Sequence, residues 1–349
     1  MRGVAALLVV LRHTTRFFGD FGFQESYLAV DIFFAMSGIV LANAYEQRLK
    51  AGQFAKTFAW IRLVRLYPLY ALGLAISVLA LALGADPEKA RWLSWSLPLA
   101  ILLLPNLLPF TGTSTFPLNG PSWSLFMELW VNIFYGRFIS ALSSRNLILI
   151  MGFSAAGLAA GEYLSQRHNL DFGWTQKSFV FAFFRVGYSY FAGVLIYRVF
   201  AANRVAGRAG ANRSPAAWVL LSAMAALLMC SPSPALQPYF DFLCVTVFFP
   251  AIVYAALSFQ PDGRTRAIFT FLGAISYPAY AIHAPLAALT ETLLGKFAGI
   301  SVQDYAPYAG IAFVAALLPL CWVLNGYDVR IRAALNPKKT KPVGATLPS

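Results

Sequence analysis

Charge is scarce in this 349-residue chain: Asp, Glu, Lys and Arg together make up 12% of it, about half the share of an ordinary soluble domain. A soluble protein of this length needs a charged skin around its core, so the shortage excludes one large domain in water. Acids are the scarcer sign, 14 against 27 Lys and Arg, for a formal net charge of +13. That excess does not read as a nucleic-acid surface. The cations sit in short loops between apolar runs and form neither a continuous stripe nor a stacking platform. There are three cysteines, Cys230, Cys244 and Cys321, all inside apolar runs, so neither a disulfide framework nor a metal site is expected. The first apolar run, Gly3 to Leu11, has no small-residue cleavage site after it and continues into Arg12, His13 and Arg16. A retained first span is therefore expected, not a signal peptide. No internal repeat of 20–50 residues is visible.

What the chain does have is hydrophobicity, 59% of residues and a mean hydropathy of +0.63. One span takes about 20 mostly apolar residues. Apolar runs predict helices near 3–18, 27–46, 62–84, 122–140, 146–164, 178–200, 215–232, 240–259, 268–290 and 305–327. An eleventh run, Trp92 to Phe110, is broken by Pro98, Pro105 and Pro109. Counting it as a span would put the Arg204–Arg213 cluster outside, against the positive-inside rule. Leaving it out, with a cytoplasmic N-terminus, places 19 of the 27 basic residues inside and most acids in outside loops. The sequence thus predicts an all-α polytopic membrane protein of about ten transmembrane helices, with both termini cytoplasmic. Trp92–Phe110 becomes a proline-broken re-entrant or interfacial segment covering a cavity. Residues 1–335 form one integral-membrane domain, and 336–349 a basic cytoplasmic tail without fold. Gly157 and Gly161 mark close helix packing.

Ionisable residues inside spans are costly and point to function; here they are His13, Asp31, Glu128, Arg185, Asp241 and His283. Arg2 and His13 are eleven residues apart, which on a helix leaves them about 20° apart in azimuth and about 16 Å apart along the axis. Ser124 and Glu128 share a face at i, i+4, although the serine could be only a helix cap. Ser276, Tyr280 and His283 line one side of a later helix. Counted along the helices, His13, Glu128 and His283 fall at similar depths. Arg62 and Arg65 point the same way at a helix start, as membrane anchors or as an anion site. Asp31 is read as pairing with Arg12 or Arg16, either as a structural ion pair or as a catalytic acid. Asp241 and Arg185 are read as polar packing.

Five motifs in order carry a family resemblance. They are Arg2-X10-His13; Asp31-Ile32-Phe33-Phe34-Ala35-Met36-Ser37-Gly38; Arg62-Leu63-Val64-Arg65-Leu66-Tyr67-Pro68; Pro121-Ser122-Trp123-Ser124-Leu125-Phe126-Met127-Glu128; and Leu272-Gly273-Ala274-Ile275-Ser276-Tyr277 running on through Tyr280 and His283 to Pro285. The chain resembles the integral-membrane acyltransferase 3 family from Arg2 to about Arg332, in its stand-alone form. Two departures are that Arg2 directly follows Met1, and that Arg330 stands where the family has Pro.

The resemblance implies an acyltransferase of the inner (cytoplasmic) membrane, transferring groups other than amino-acyl groups. It would move an acyl group, most often acetyl, from cytoplasmic acyl-CoA to a hydroxyl of a carbohydrate or glycosylated acceptor. Acyl-CoA is then a co-substrate, and no bound cofactor or metal is expected. The implied catalytic set is His13 as base with Arg2, Glu128, His283 and Asp31, one carboxylate orienting the imidazole. Arg62, Arg65, Ser124 and Tyr280 are the implied acyl-CoA contacts. The competing class is a proton-coupled transporter or flippase, which also places His, Glu and Asp in spans but more often shows inverted repeats.

Overall fold

The computed structural model describes residues 1–52, 55–84, 87–108, 112–165, 167–205, 214–259 and 261–336. Arg208 and Arg213 of the expected basic cluster, Pro109 and Phe110, and residues 337–349 of the expected tail lie outside the described residues. Twelve α-helices follow in order: α1 Arg2–His13, α2 Ala29–Lys50, α3 Ala55–Gly84, α4 Pro87–Ile101, α5 Ser122–Phe138, α6 Ser144–Leu164, α7 Phe179–Val205, α8 Ser214–Met229, α9 Gln237–Leu243, α10 Phe249–Ala256, α11 Gly263–Leu293 and α12 Tyr308–Leu335. A π-helical turn, Cys244–Phe248, joins α9 and α10 into one span. The sole β-pairing among the described residues is a bridge between Ser114 and Thr175.

Among the described residues, seven helices are long and apolar enough to cross a membrane. Three other expected spans are shorter: α1 has 12 residues, α5 17 and α8 16. Two of them lie among other helices: α1 against α2, α8 and α11, and α5 against α2, α3 and α7. A helix covered by protein has no lipid thickness to match, so it can be short. The expected helix over 3–18 ends at His13. There Thr14 leaves helical geometry, its hydroxyl donating to Val10 O at 2.8 Å, and a 3₁₀ turn over Thr15–Phe18 runs to Gly19 in the left-handed region. Local hydroxyl bonding of this kind competes with helix continuation. It leaves His13 as the last helical residue.

The proline-broken segment goes in and comes back. α4 starts two residues beyond the end of α3 and runs back along it, until the Tyr70 hydroxyl donates to Ala100 O and the Tyr67 hydroxyl to Ile101 O at 2.8 Å. These tyrosines are about 14–17 residues short of the α3 terminus, so α4 reaches about 21–26 Å along α3. Residues 102–108 are non-helical, and the chain returns through Asn106 N–H donating to Thr115 O at 2.7 Å. Protein partners satisfy the irregular backbone, the condition for keeping it at membrane depth.

Two close approaches set the bundle around the site. A Cβ on Gly38 would lie 2.1 Å from Tyr190 O, and one on Gly193 2.0 Å from Ala35 O, so α2 and α7 cross backbone against backbone. A Cβ on Gly3 would lie 2.5 Å from Leu272 O, which holds α1 tightly on α11. The expected Gly157/Gly161 contact is with α7, where Phe184 and Phe181 fill the space over the two glycines.

Two outcomes follow. Gly38→Leu should abolish folded protein in a detergent-stability assay, because the clash is with backbone, whereas Gly273→Ala, with nothing within 4 Å, should be neutral; equal stability of both variants would contradict the α2–α7 crossing. Single cysteines at Glu88 and Thr113 should react with an impermeant maleimide from the same side of the membrane. Labelling from opposite sides would mean that the α4 segment crosses.

Candidate active site

α1 carries its polar residues into two neighbouring chambers. His13, exposed to the interior space, borders a cavity of about 400 Å³ with Arg12, Tyr27, Trp123, Trp174 and Tyr280. Arg2, at the other end of α1, borders a cavity of about 30 Å³ with Ser124, Glu128, Ser276 and Tyr280. Val30 and Tyr280 line both. At the junction the Ser124 and Tyr280 hydroxyls bond at 2.5 Å, and the Tyr280 hydroxyl also approaches Pro121 O at 3.1 Å.

The histidines meet across the α1–α11 contact: His13 Nδ1 and His283 Nε2 are 3.2 Å apart and the ring centroids 5.0 Å. A carbonyl oxygen only accepts, which fixes the protons. His283 Nδ1 faces Ala279 O at 2.9 Å and Tyr280 O at 3.0 Å, and His13 Nδ1 faces Val9 O at 2.9 Å, so both Nδ1 atoms carry hydrogen. In neutral rings each Nε2 then bears a lone pair. That of His283 accepts from His13 Nδ1–H, and that of His13 has no protein partner among the described residues. His283 itself has no exposed surface. The expected orienting carboxylate is therefore absent from this ring: a backbone carbonyl and a second imidazole hold it.

Glu128 lies elsewhere. Its Oε1 accepts from Arg62 Nη2 at 3.0 Å and from Ser37 Oγ at 2.9 Å, with Arg2 and Arg65 close enough to act on it electrostatically. It belongs to the Arg2 end of α1 and not to the depth of His13, which corrects the expected equal depth. The reason is where α5 begins. Residues 112–121 descend into the bundle before the helix starts, and Asn119 Nδ2 already reaches Ala281 O at 3.0 Å, close to His283. Two further turns carry Glu128 deeper. Three guanidiniums around one carboxylate leave two positive charges in excess. Arg62 is 4% exposed and Arg65 is half-buried, so within the expected phosphate-binding pair only Arg65 has much free surface.

Asp31 does not pair with Arg12 or Arg16. It accepts from Arg185 Nη2 at 2.5 Å and from Ser189 Oγ at 3.0 Å, and Arg185 also donates to Tyr27 O and Phe172 O. Arg12 instead pairs with Asp171 at 2.9 Å and Arg16 with Glu291 at 2.9 Å. Asp31 and Arg185 are thus a buried pair joining α2 to α7 behind Trp123, which lies over the guanidinium at 5.4 Å. Asp241 is a packing hub, accepting from the Tyr27 hydroxyl, Leu170 N–H and Gln237 Nε2.

Several cavity residues escape a sequence reading. Arg167, Asp171 and Trp174 come from an irregular segment between α6 and α7, where no periodicity marks a face. Arg12 and Ser37 did carry a signal, one beside His13 and the other inside the Asp31–Gly38 motif. Among the described residues no cluster of three or more His, Cys, Asp or Glu could hold a metal ion.

Comparison with known proteins agrees with the motifs. A curated protein of Rhizobium radiobacter, "Protein 2 in picA locus", is 40% identical over 178 residues, covering 47% of this chain and 93% of that protein. No solved structure matches significantly. The profile of the family described as "Acyltransferase domain" matches residues 1–326, nearly the whole helical bundle. The chain therefore belongs to the acyltransferase 3 family and is a multi-pass membrane acyltransferase.

Proposed function

We propose that this acyltransferase moves an acetyl group from cytoplasmic acetyl-CoA to a hydroxyl of a carbohydrate or glycosylated acceptor, working in the inner membrane with both termini cytoplasmic. The observation that carries the reading is the free Nε2 of His13, facing the 400 Å³ cavity while Nδ1–H is held from behind. An alcohol is a poor nucleophile at neutral pH, and a base within hydrogen-bond reach raises its reactivity as the proton leaves. The acceptor oxygen attacks the thioester carbonyl carbon, and Nε2 takes the hydroxyl proton. The C–S bond then breaks, and the imidazolium returns that proton to the CoA thiolate. His283 Nε2, as acceptor for His13 Nδ1–H, stabilises the transient cation and keeps the ring from turning. It is a positioning residue in this scheme.

The donor side rests on the other end of α1. Excess positive charge at Arg2, Arg62 and Arg65 suits CoA phosphates, and the pantetheine arm would run along α1, past Tyr280 and Ser124, toward His13. The spacing of about 16 Å between Arg2 and His13 is of the right order for that arm. The acceptor side rests on the larger cavity, where Trp123 and Trp174 offer ring faces and Arg12 and Asp171 offer polar contacts. The charge bias of the loops supports the orientation.

Arg62 and Arg65 should separate on mutation. Removing one partner of a buried pair costs about 3–5 kcal/mol, so Arg62→Ala should lower the yield of folded protein, to the extent that Arg2, Arg65 and Ser37 do not make up for the lost contact to Glu128. Arg65→Ala should fold normally and weaken acetyl-CoA binding, measured by calorimetry in detergent, and Lys should restore it in part. Normal binding by Arg65→Ala would remove Arg65 from the donor site.

The decisive measurement is acetyl transfer by His13→Gln. Loss of a general base costs about 10²–10⁴-fold in rate, with acetyl-CoA binding retained. His283→Gln keeps an acceptor toward His13 and should lose less, about tenfold or under. Near wild-type transfer by His13→Gln alongside an inactive His283→Gln would move the base to α11.

A further inference from the structure

A second large cavity, of about 630 Å³, opens between α6 and α9 and takes no part in the scheme above. It adjoins the His13 cavity through one short stretch of chain. Arg167 and Asp171 face the His13 side, whereas His168, between them in sequence, faces the other. His168 has a φ of 47°, a left-handed conformation that is uncommon for a non-glycine residue and costs free energy unless its surroundings enforce it. The enforcement is visible two residues on, where Leu170 N–H is fixed to buried Asp241 of α9 at 2.9 Å. Asp241 also accepts from the Tyr27 hydroxyl, and Tyr27 lines the His13 cavity. The wall between the two cavities is thus a single hydrogen-bonded unit.

The chemistry of the second cavity is specific. Glu162 lines it, 7% exposed, and its buried Oε1 has no hydrogen-bond partner. A buried carboxyl oxygen without a partner is costly, and a ligand that brings hydroxyl or N–H groups would relieve that cost. Tyr163 and Tyr239 border the same space with 82% and 69% of their surfaces exposed. Aromatic faces beside a lone acceptor match the amphipathic surface of a sugar ring, which shows C–H on its faces and O–H at its rim. Among the described residues no Lys or Arg lines the cavity, so it offers no cation to a phosphate.

We propose that this cavity is a saccharide subsite, which holds a further sugar residue of the acceptor while the hydroxyl to be acylated lies at His13. The proposal rests on the carbohydrate reading of the acceptor and extends it: the preferred substrate is an oligosaccharide long enough to pass the 167–171 wall, not a single sugar. Glu162 takes hydrogen bonds from the hydroxyls, and Tyr163 and Tyr239 stack on the ring.

The test uses the full chain in lipid nanodiscs on an array of neutral mono- to hexasaccharides. Wild type should retain oligosaccharides over monosaccharides. Glu162→Gln and Tyr239→Ala, the second at an exposed position that the fold does not need, should each weaken oligosaccharide retention about tenfold, the scale of one lost buried hydrogen bond or ring contact. Monosaccharide retention should stay unchanged. Unaltered oligosaccharide binding by both variants would overturn the subsite and leave the carbohydrate reading intact. If wild type retained no saccharide of any length, the carbohydrate reading would fall and the subsite with it. Phosphatidylethanolamine co-purifying with wild type but not with either variant would overturn the proposal in favour of a lipid cavity.

Discussion

Arg185 has no exposed surface and still carries a full charge, and much of the bundle around the His13 cavity is arranged to satisfy it. An unpaired charge in an apolar medium costs many kcal/mol, so every donor of this guanidinium has to find an oxygen inside the protein. Four of its five N–H groups do so here: two go to Asp31 of α2, one to Tyr27 O and one to Phe172 O. Those bonds fix three things together: the α2–α7 crossing, the turn before α2, and the irregular segment before α7 that supplies Arg167, Asp171 and Trp174. Trp123, at the start of α5, lies over the same guanidinium. Asp31 thus matters to the site as its scaffold.

A second buried pair does related work at the other end of α1. Arg62 and Glu128 join α3 to α5, and Ser37 brings α2 into the same contact. One carboxylate serves three arginines, so the group keeps a positive field where a purely structural pair would be neutral. The paired chambers along α1 thus have a cationic end and an imidazole end, with Tyr280 and Ser124 between them.

How much of this was legible beforehand follows from what periodicity encodes. Helix spacing gives faces, so the shared azimuth of Arg2 and His13 and the row Ser276, Tyr280, His283 were readable, and all of these line or adjoin the two chambers. Charge bias together with the prolines marked the segment that turns back at Ile101. Periodicity does not give neighbours. Nothing in the sequence says that Asp31 faces α7 and not α1, or that the partner of one histidine is the other, 270 residues away. Depth was also unreadable for α5, because the chain enters the bundle in irregular form before the helix begins. Boundary effects misled at α1, where one threonine hydroxyl and Gly19 end a helix that hydrophobicity would continue.

The separation of the two histidines also bears on the order of synthesis. α1 is short and polar at both ends, and its closest backbone contact, at Leu272 of α11, belongs to a stretch translated almost last. At about 5–20 residues per second, the ribosome delivers α11 roughly 15–50 s after α1. During that interval Arg2 and His13 lack their α11 neighbours, and the nascent bundle must hold α1 against α2, and later α8, or leave it at the bilayer surface. The contact between the two imidazoles therefore forms late in synthesis, so incomplete chains released into the membrane carry the family's N-terminal motif without its partner on α11.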